Sequence, residues 1–214
     1  MNQPTLPSHA EVVVIGGGVM GASTAYHLAK RGIHDVVLLE REEFFGQGST
    51  GRCAGGIRHQ FSTSINIELS IKSLAMLQNF QQETGQTIDI KLCGYLFLLS
   101  TPAEMQQFEQ NVALQNSHGV MSEIWTTEQI AQRVPLLNLD DIIGGSYNAG
   151  DGIADPSGVV NGYIAAAREL GVKAFNGATV TGIDTQAGAI STVHTTLGSI
   201  ETKTVVNAAG PWSA

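Results

Sequence analysis

Gly16, Gly18 and Gly21 stand in the GxGxxG register within "GGGVMG", and a carboxylate, Glu40, follows nineteen residues beyond the last of them. These residue types at this spacing suit the binding of a dinucleotide. The first glycine permits a tight turn, the second lets backbone approach a pyrophosphate, and the third allows close helix-sheet packing with the helix N-terminus facing the phosphates. A carboxylate at the end of the next strand can accept from ribose hydroxyls, and its charge opposes the 2′-phosphate of NADP. Taken alone the glycine pattern is weak, and the alternative is a structural turn with an exposed Glu40.

A second group of residues lies in "GSTGRCAGGIRHQF", Gly48 to Phe61, where Arg52, Arg58 and His59 are spaced by glycines with no helix or strand period. A plain nicotinamide domain leads from its second strand into another helix, whereas here "VVLLE" leads through "REEFFGQG" into this loop. A glycine-rich, partly apolar loop at that point suits a flat ring system approached closely by backbone amides, which points to FAD. Arg52 reads as a residue that neutralises phosphate or fixes the loop, or else as a solvated surface cation. Cys53 reads as a packing residue rather than a redox centre. For His59 the readings are a loop histidine bonded to backbone or an active-site contact.

The elements that must position these residues follow from patterning. Glu11–Ile15 is a β-branched run ending at Gly16, "VMGASTAYHLAK" (19–30) has helical composition stopped by Gly32, and "DVVLLE" (35–40) reads as a buried strand. The run 62–85 is expected as one helix with Ile67, Ile71, Leu74 and Leu77 on one face and Gly85 at its stop. Further on, "IKLCGYLFLLS" is strand-like. Thr101, Pro102 and Glu104 then open a helix through a capping box, "TTEQIAQRVP" is a short helix ended by Pro135, and "IIGGSY" reads as a strand. Asp155 caps a helix closed by Gly171, after which "VKAF", "ATVTGIDTQAGAISTVHTT" and "KTVVNAAGPWSA" read as strands with one hairpin. His27 is expected as a packed or exposed helix residue, and His118 sits in a turn with no visible partner.

Composition narrows the class. With 214 residues, 43% apolar and 14% charged, the chain can bury one substantial core or two lobes, and its apolar runs are too short to cross a bilayer. A formal charge of -8 argues against nucleic acid. The two cysteines, Cys53 and Cys93, lack metal spacing, so neither a disulfide framework nor a metal site is expected, and a cytoplasmic location is the default. "MNQPTLPSHAE" reads as a short disordered lead-in without signal-peptide features. Strand-to-helix logic reappears in "TVVNAAG" close to Ala214, which leads to the expectation of a fragment, a truncated product or one piece of a larger assembly. No Ser-His-Asp or Cys-His arrangement with nucleophile context is visible.

"VVVIGGGVMGASTAYHLAKRG", "VVLLERE", "GSTGRCAGGIRHQF", "GDGIADPSGVVNGYIAAARELGVK" and "VVNAAGPWS" together resemble the FAD-dependent amine oxidoreductases of the D-amino-acid oxidase superfamily. The resemblance is nearest to the beta subunits of heterotetrameric sarcosine oxidase and of dye-linked L-proline dehydrogenase, with glycine oxidase further off. It implies an α/β fold: a Rossmann-like FAD-binding domain with an interleaved, incomplete mixed α+β substrate lobe. The corresponding boundaries are a lead-in at 1–10, the FAD domain at 11–85, a partial substrate lobe at 86–150, and a return to the FAD domain at 151–214. It implies oxidation of the C–N bond of a small amino acid of sarcosine, glycine or proline type by hydride transfer to flavin, with other subunits as candidate partners.

Residue by residue, the resemblance gives the pyrophosphate to Gly16, Gly18, Val19, Met20 and Gly21, and the adenosine ribose to Glu40, with Arg41 beside it. It places Ser49, Thr50, Arg52, Cys53 and Ala54 along the pyrophosphate and ribityl side, and Gly55, Gly56 and Ile57 beside the isoalloxazine. Val180 would meet the adenine side through backbone, Ala208, Ala209 and Gly210 would let the chain approach the cofactor, and Trp212 would pack nearby. Arg58 takes the substrate carboxylate, its alternative being a structural arginine paired with an acidic side chain, and for His59 the resemblance adds a covalent flavin link as a further alternative. Two other readings remain at this point: a non-catalytic remnant that binds nucleotide weakly or works only within an assembly, and an NAD-dependent dehydrogenase, which needs a continuous βαβ array after Glu40.

Overall fold

A computed structural model describes residues 5–213. In chain order the elements are β1 (Val12–Ile15), α1 (Val19–Lys30), β2 (Val36–Leu39), β3 (Gly56–Ile57), α2 (Ser64–Gln78) and α3 (Phe80–Thr84). Next come β4 (Ile90–Lys91), β5 (Tyr95–Leu99), α4 (Pro102–Ser117), β6 (Ser122–Trp125), α5 (Thr127–Arg133), β7 (Gly144–Asn148) and β8 (Gly152–Ala154). Then follow α6 (Pro156–Glu169), β9 (Lys173–Phe175), β10 (Val180–Gln186), β11 (Ala189–Thr195), β12 (Gly198–Glu201), β13 (Thr204–Asn207) and a 3-10 turn at Gly210–Trp212.

The first of two units takes in the chain through Ala54, Phe80–Ile88 and the stretch from Asp155 on. Its centre is a four-stranded parallel sheet in the order β13-β1-β2-β9. Strand β2 is buried along its whole length, as a parallel strand covered on both faces must be, and this explains its unbroken "VVLL". Helices α1 and α6 pack together, with the Tyr163 ring meeting Tyr26 at 5.5 Å and Phe80 at 4.8 Å. The antiparallel β10-β11-β12 sheet contributes Val193 and Ile200 to a core shared with Val13, Val37, Leu39 and Phe175.

Asp155 caps α6 as its type and place predict, accepting from the Ser157 and Gly158 amides at 3.0 and 2.8 Å. The disordered lead-in expected at 1–10 needs correction: its first four residues lie outside those described, but Ser8 and Ala10 bond Glu201, and Ala10 is fully buried.

The second unit comprises Gly55–Asn79 and Asp89–Ala154. It holds two three-stranded sheets, β5-β7-β6, antiparallel throughout, and β3-β8-β4, in which β8 runs antiparallel to both neighbours. The capping box at α4 is present in both directions, Thr101 with Glu104, and α5 has a second one, Thr126 with Gln129.

The helix expected over 62–85 is two helices. Asn79 closes α2 by returning both its main-chain and side-chain N–H to the Ala75 carbonyl, the local competition that makes Asn a poor helix-interior residue. The break also coincides with the boundary between units, so α2 belongs to the second unit and not to the 11–85 domain expected for it. Gly85 ends α3 with a left-handed φ of 72°. "IKLCGYLFLLS" likewise divides into β4 and β5 around Gly94, and strands β6, β8 and β12 do not register as patterns because "SEIW", "GIA" and "GSIE" mix polar residues or glycine with few apolar ones.

Candidate functional site

Strand β1 delivers the chain into Gly16, whose amide donates to the Leu39 carbonyl at 2.8 Å and whose φ of 106° lies in the left-handed region. A Cβ on Gly16 would strike the Ala208 carbonyl, and one on Gly21 would strike the carbonyl of Gly16. Both glycines are therefore demanded by the chain's own packing. At Gly18 the case differs: a Cβ there would approach only Thr50 Oγ1, at 3.3 Å. The bareness of Gly18 instead leaves free space in the groove that it lines.

Gly18 is the N-cap of α1 and has no side chain with which to cap it. Thr50 does that work from the following loop, its Oγ1 accepting from the Val19 amide at 3.1 Å. No acidic residue occupies the first turn of α1, so the positive end of the helix dipole is left to whatever the groove holds.

Glu40, 9% exposed, accepts from the Gly17 amide through Oε2 at 2.7 Å and from the Glu42 amide through Oε1 at 2.9 Å. It thus ties the glycine turn to the end of β2. A carboxylate offers about four lone-pair sites, so both oxygens keep acceptor capacity for hydroxyls. Arg41 pairs with Glu42 at 3.0 Å and lies over the Trp212 ring at 4.2 Å.

These features surround a groove of about 490 Å³ in the first unit, within the usual range for small-molecule sites. Gly16, Gly18, Val19, Met20, Glu40, Arg41, Ser49, Thr50, Val180, Ala208, Ala209, Gly210 and Trp212 all line it. Gly21 is buried at the packing contact instead, and Arg52, Cys53 and Ala54 are exposed without lining the groove. Gly55, Gly56 and Ile57 fall in the second unit, where the last two form β3. Sequence reasoning missed Ala178, Thr179, Ile183 and Asn207. Of these only Asn207 carries a local signal: its Oδ1 accepts from the Ala209 amide at 3.2 Å, an Asx turn that shapes the segment after β13.

In the second unit, Arg58 places its guanidinium over Phe61, Phe97 and Tyr95 at 5.0, 5.2 and 5.8 Å. It forms no ion pair with any described residue, and its buried Nε has no acceptor among them. The paired structural arginine considered above is therefore not what is found. A cation stacked on rings, with hydrogen-bond donors left over, suits a planar anion such as a carboxylate. The side chain of His59 does not bond backbone. Its Nδ1 lies 2.8 Å from Asp151 Oδ1, in a pair whose carboxylate is fully buried.

The first unit also joins three residues that spacing alone did not connect. His194 lies 2.9 Å from both Ser199 Oγ and Asp184 Oδ2, across neighbouring strands. The His194 and Asp184 side chains are 38% and 66% exposed and line neither groove found among the described residues. Without a cleft to hold an acyl group, the trio is a cross-strand polar ladder. On α1, burial first and the Lys30 charge second hold the pKa of His27 below the ordinary histidine value.

A parallel sheet, a glycine turn into a helix N-terminus and a carboxylate closing the next strand define a dinucleotide-binding α/β protein. A family model described as "DAO: FAD dependent oxidoreductase" matches residues 11–214, and the chain belongs to that family, which is FAD-dependent. Among curated proteins, mitochondrial dimethylglycine dehydrogenase of Rattus norvegicus is 37% identical over 98% of this chain, and mitochondrial sarcosine dehydrogenase of Mus musculus is 34% identical over 100% of this chain. The chain spans 24% of the length of each relative. Among solved structures, L-proline dehydrogenase from P. horikoshii superposes with a TM-score of 0.89 at 38% identity, covering 97% of this chain and 55% of that one.

Proposed function

We propose that the chain holds FAD in the groove of the first unit and serves the oxidation of the C–N bond of a small amino acid of sarcosine, glycine or proline type. The observation that carries this reading is the groove. Its glycine turn, acid-free helix N-terminus and Glu40 carboxylate line one surface, and the missing Cβ of Gly18 keeps that surface open.

In this reading the pyrophosphate lies against Gly18, Val19 and Met20, whose helix N-terminus favours an anion. Glu40 accepts from the adenosine ribose, backbone at Val180 meets the adenine side, and Ser49 and Thr50 flank the phosphates. Ala208 to Gly210 keep the approach narrow, with Trp212 and Arg41 stacked at the rim. Roles for Arg52, Cys53 and Ala54 on the phosphate side and for Gly55, Gly56 and Ile57 along the ring rest on the family resemblance alone, since none of the six lines the groove. FAD bound there supplies the hydride acceptor. Arg58 takes the substrate's carboxylate through its guanidinium fork, for which the lack of an acidic partner among the described residues leaves it available. Other subunits of a hetero-oligomeric oxidase or dehydrogenase are the candidate partners, a reading that rests on the family resemblance. The compartment is read as cytoplasmic, on the support of two exposed, unpaired cysteines. No described helix is long and apolar enough to cross a membrane.

The test is anaerobic mixing of the FAD-reconstituted protein with sarcosine, dimethylglycine, glycine and L-proline in turn. One of them should bleach the flavin absorbance. Persistent yellow colour with all four would sink the substrate assignment.

A further inference from the structure

Arg58 sits on a segment fastened on both sides, and the fastening converges on one buried acid. On its N-terminal side, β3 pairs with β8 through Gly56 with Ile153 and Ile57 with Gly152. On its C-terminal side, Asp151, the residue just before β8, reaches back to the two residues after Arg58. Its Oδ1 accepts from the His59 main-chain amide and faces His59 Nδ1, both at 2.8 Å, and its Oδ2 accepts from Gln60 Nε2 at 3.1 Å. The Asp151 carbonyl accepts from the Gly94 amide at 2.8 Å. Gln60 also donates to the Tyr95 carbonyl at 2.9 Å and accepts from Ser146 at 2.6 Å, and Gln115 donates to the Phe61 carbonyl at 3.0 Å.

An isolated buried carboxylate is costly unless donors surround it. Asp151 is fully buried and meets two N–H donors, the His59 main-chain amide and Gln60 Nε2, together with the His59 Nδ1 ring nitrogen. Its donors come from the segment that carries Arg58, and Tyr95, whose carbonyl holds Gln60, is also one of the rings under the guanidinium. Main-chain position and aromatic platform are thereby set by the same cluster.

We propose that Asp151 is a positioning residue for Arg58. Through His59 and Gln60 it fixes where Arg58 leaves the backbone, and so where its guanidinium can meet a carboxylate. This rests on Arg58 being the carboxylate binder, and the experiment separates the two claims. Asp151→Asn keeps the shape and an acceptor for His59, but turns an N–H toward Gln60 Nε2, two donors facing each other.

The experiment is calorimetric titration of the FAD-reconstituted protein with sarcosine and L-proline and with their amides, sarcosinamide and L-prolinamide. Wild-type protein should prefer each acid to its amide. Arg58→Ala should abolish that preference; if it is kept, Arg58 is not the carboxylate binder and the reading beneath the proposal fails. With Arg58 so established, Asp151→Asn should weaken the acids about tenfold, the loss of one hydrogen bond to a charged group, while the amides bind as before. His59→Ala, which keeps the main-chain bond to Asp151, should give a smaller loss of the same kind and serves where Asp151→Asn does not fold. Acids and amides weakened equally, or neither weakened, would overturn the proposal.

Discussion

Glu40 has two tasks in this account, and a single substitution tests both. Glu40→Gln keeps the volume but offers one oxygen where two amides, Gly17 and Glu42, now donate. One amide would then face an NH2 group. The expected result is a loss of about 1–3 kcal/mol of stability for a buried group left unsatisfied, read by urea unfolding, together with weaker FAD binding. Unchanged stability would mean that the two bonds do not hold the turn. Arg58→Ala is expected to act differently, with amino-acid affinity lowered tenfold or more, in line with a charged hydrogen bond of about 1.5–3 kcal/mol, while FAD stays bound. Such differences follow from where the partners lie. Gly16, Gly18 and Gly21 were legible because all three fall within six residues, the outer two demanded by packing and Gly18 left bare beside the groove. The bonds of Asp151 to His59 and Gln60 span 92 and 91 residues, and no local pattern announces them.

Among the elements, α1 is the one that joins fold to site. Its N-terminus is capped from 31 residues away by Thr50, so Thr50→Val should cost about 1 kcal/mol, typical of a lost N-cap, and loosen the phosphate end of the groove. The measurement is denaturant unfolding beside FAD titration. The other end of α1 carries His27, whose Nε2 is buried without a partner and whose pKa is lowered chiefly by burial. The folded state then binds fewer protons than the unfolded state between the lowered pKa and 6.5. Stability is thus full above pH 6.5 and falls as pH drops through that window. His27→Leu should flatten this part of the profile; an unchanged slope would assign it to other groups. Helices were legible where their signals are local, as in the Thr101–Glu104 box and the Asp155 cap. The break at Asn79 was not, because apolar spacing continues through it into Phe80.

At the scale of the whole molecule, the alternation between two units was legible only through the family resemblance, since each unit is assembled from separated stretches of chain. The parallel sheet shows why the first unit must be discontinuous: β1 and β2 come from the start of the chain, while their outer neighbours β13 and β9 come from its last quarter. The groove depends on that arrangement, for Gly16 and Ala208 meet only when β13 lies beside β1. Retention of FAD therefore reports folding of the first unit as a whole, and the most direct measurement is FAD titration of the purified chain beside its Gly18→Ala variant, followed by flavin absorbance and fluorescence. The wild-type chain should turn yellow with FAD, and the variant should unfold within about 1 kcal/mol of it, since its Cβ meets only the capping Thr50 Oγ1, at 3.3 Å. The variant should nevertheless bind FAD at least tenfold more weakly, about 1.4 kcal/mol, because the methyl is added at the lining of the groove. A wild-type chain that stays colourless with FAD, or a variant that binds it equally well, would contradict FAD binding in this groove.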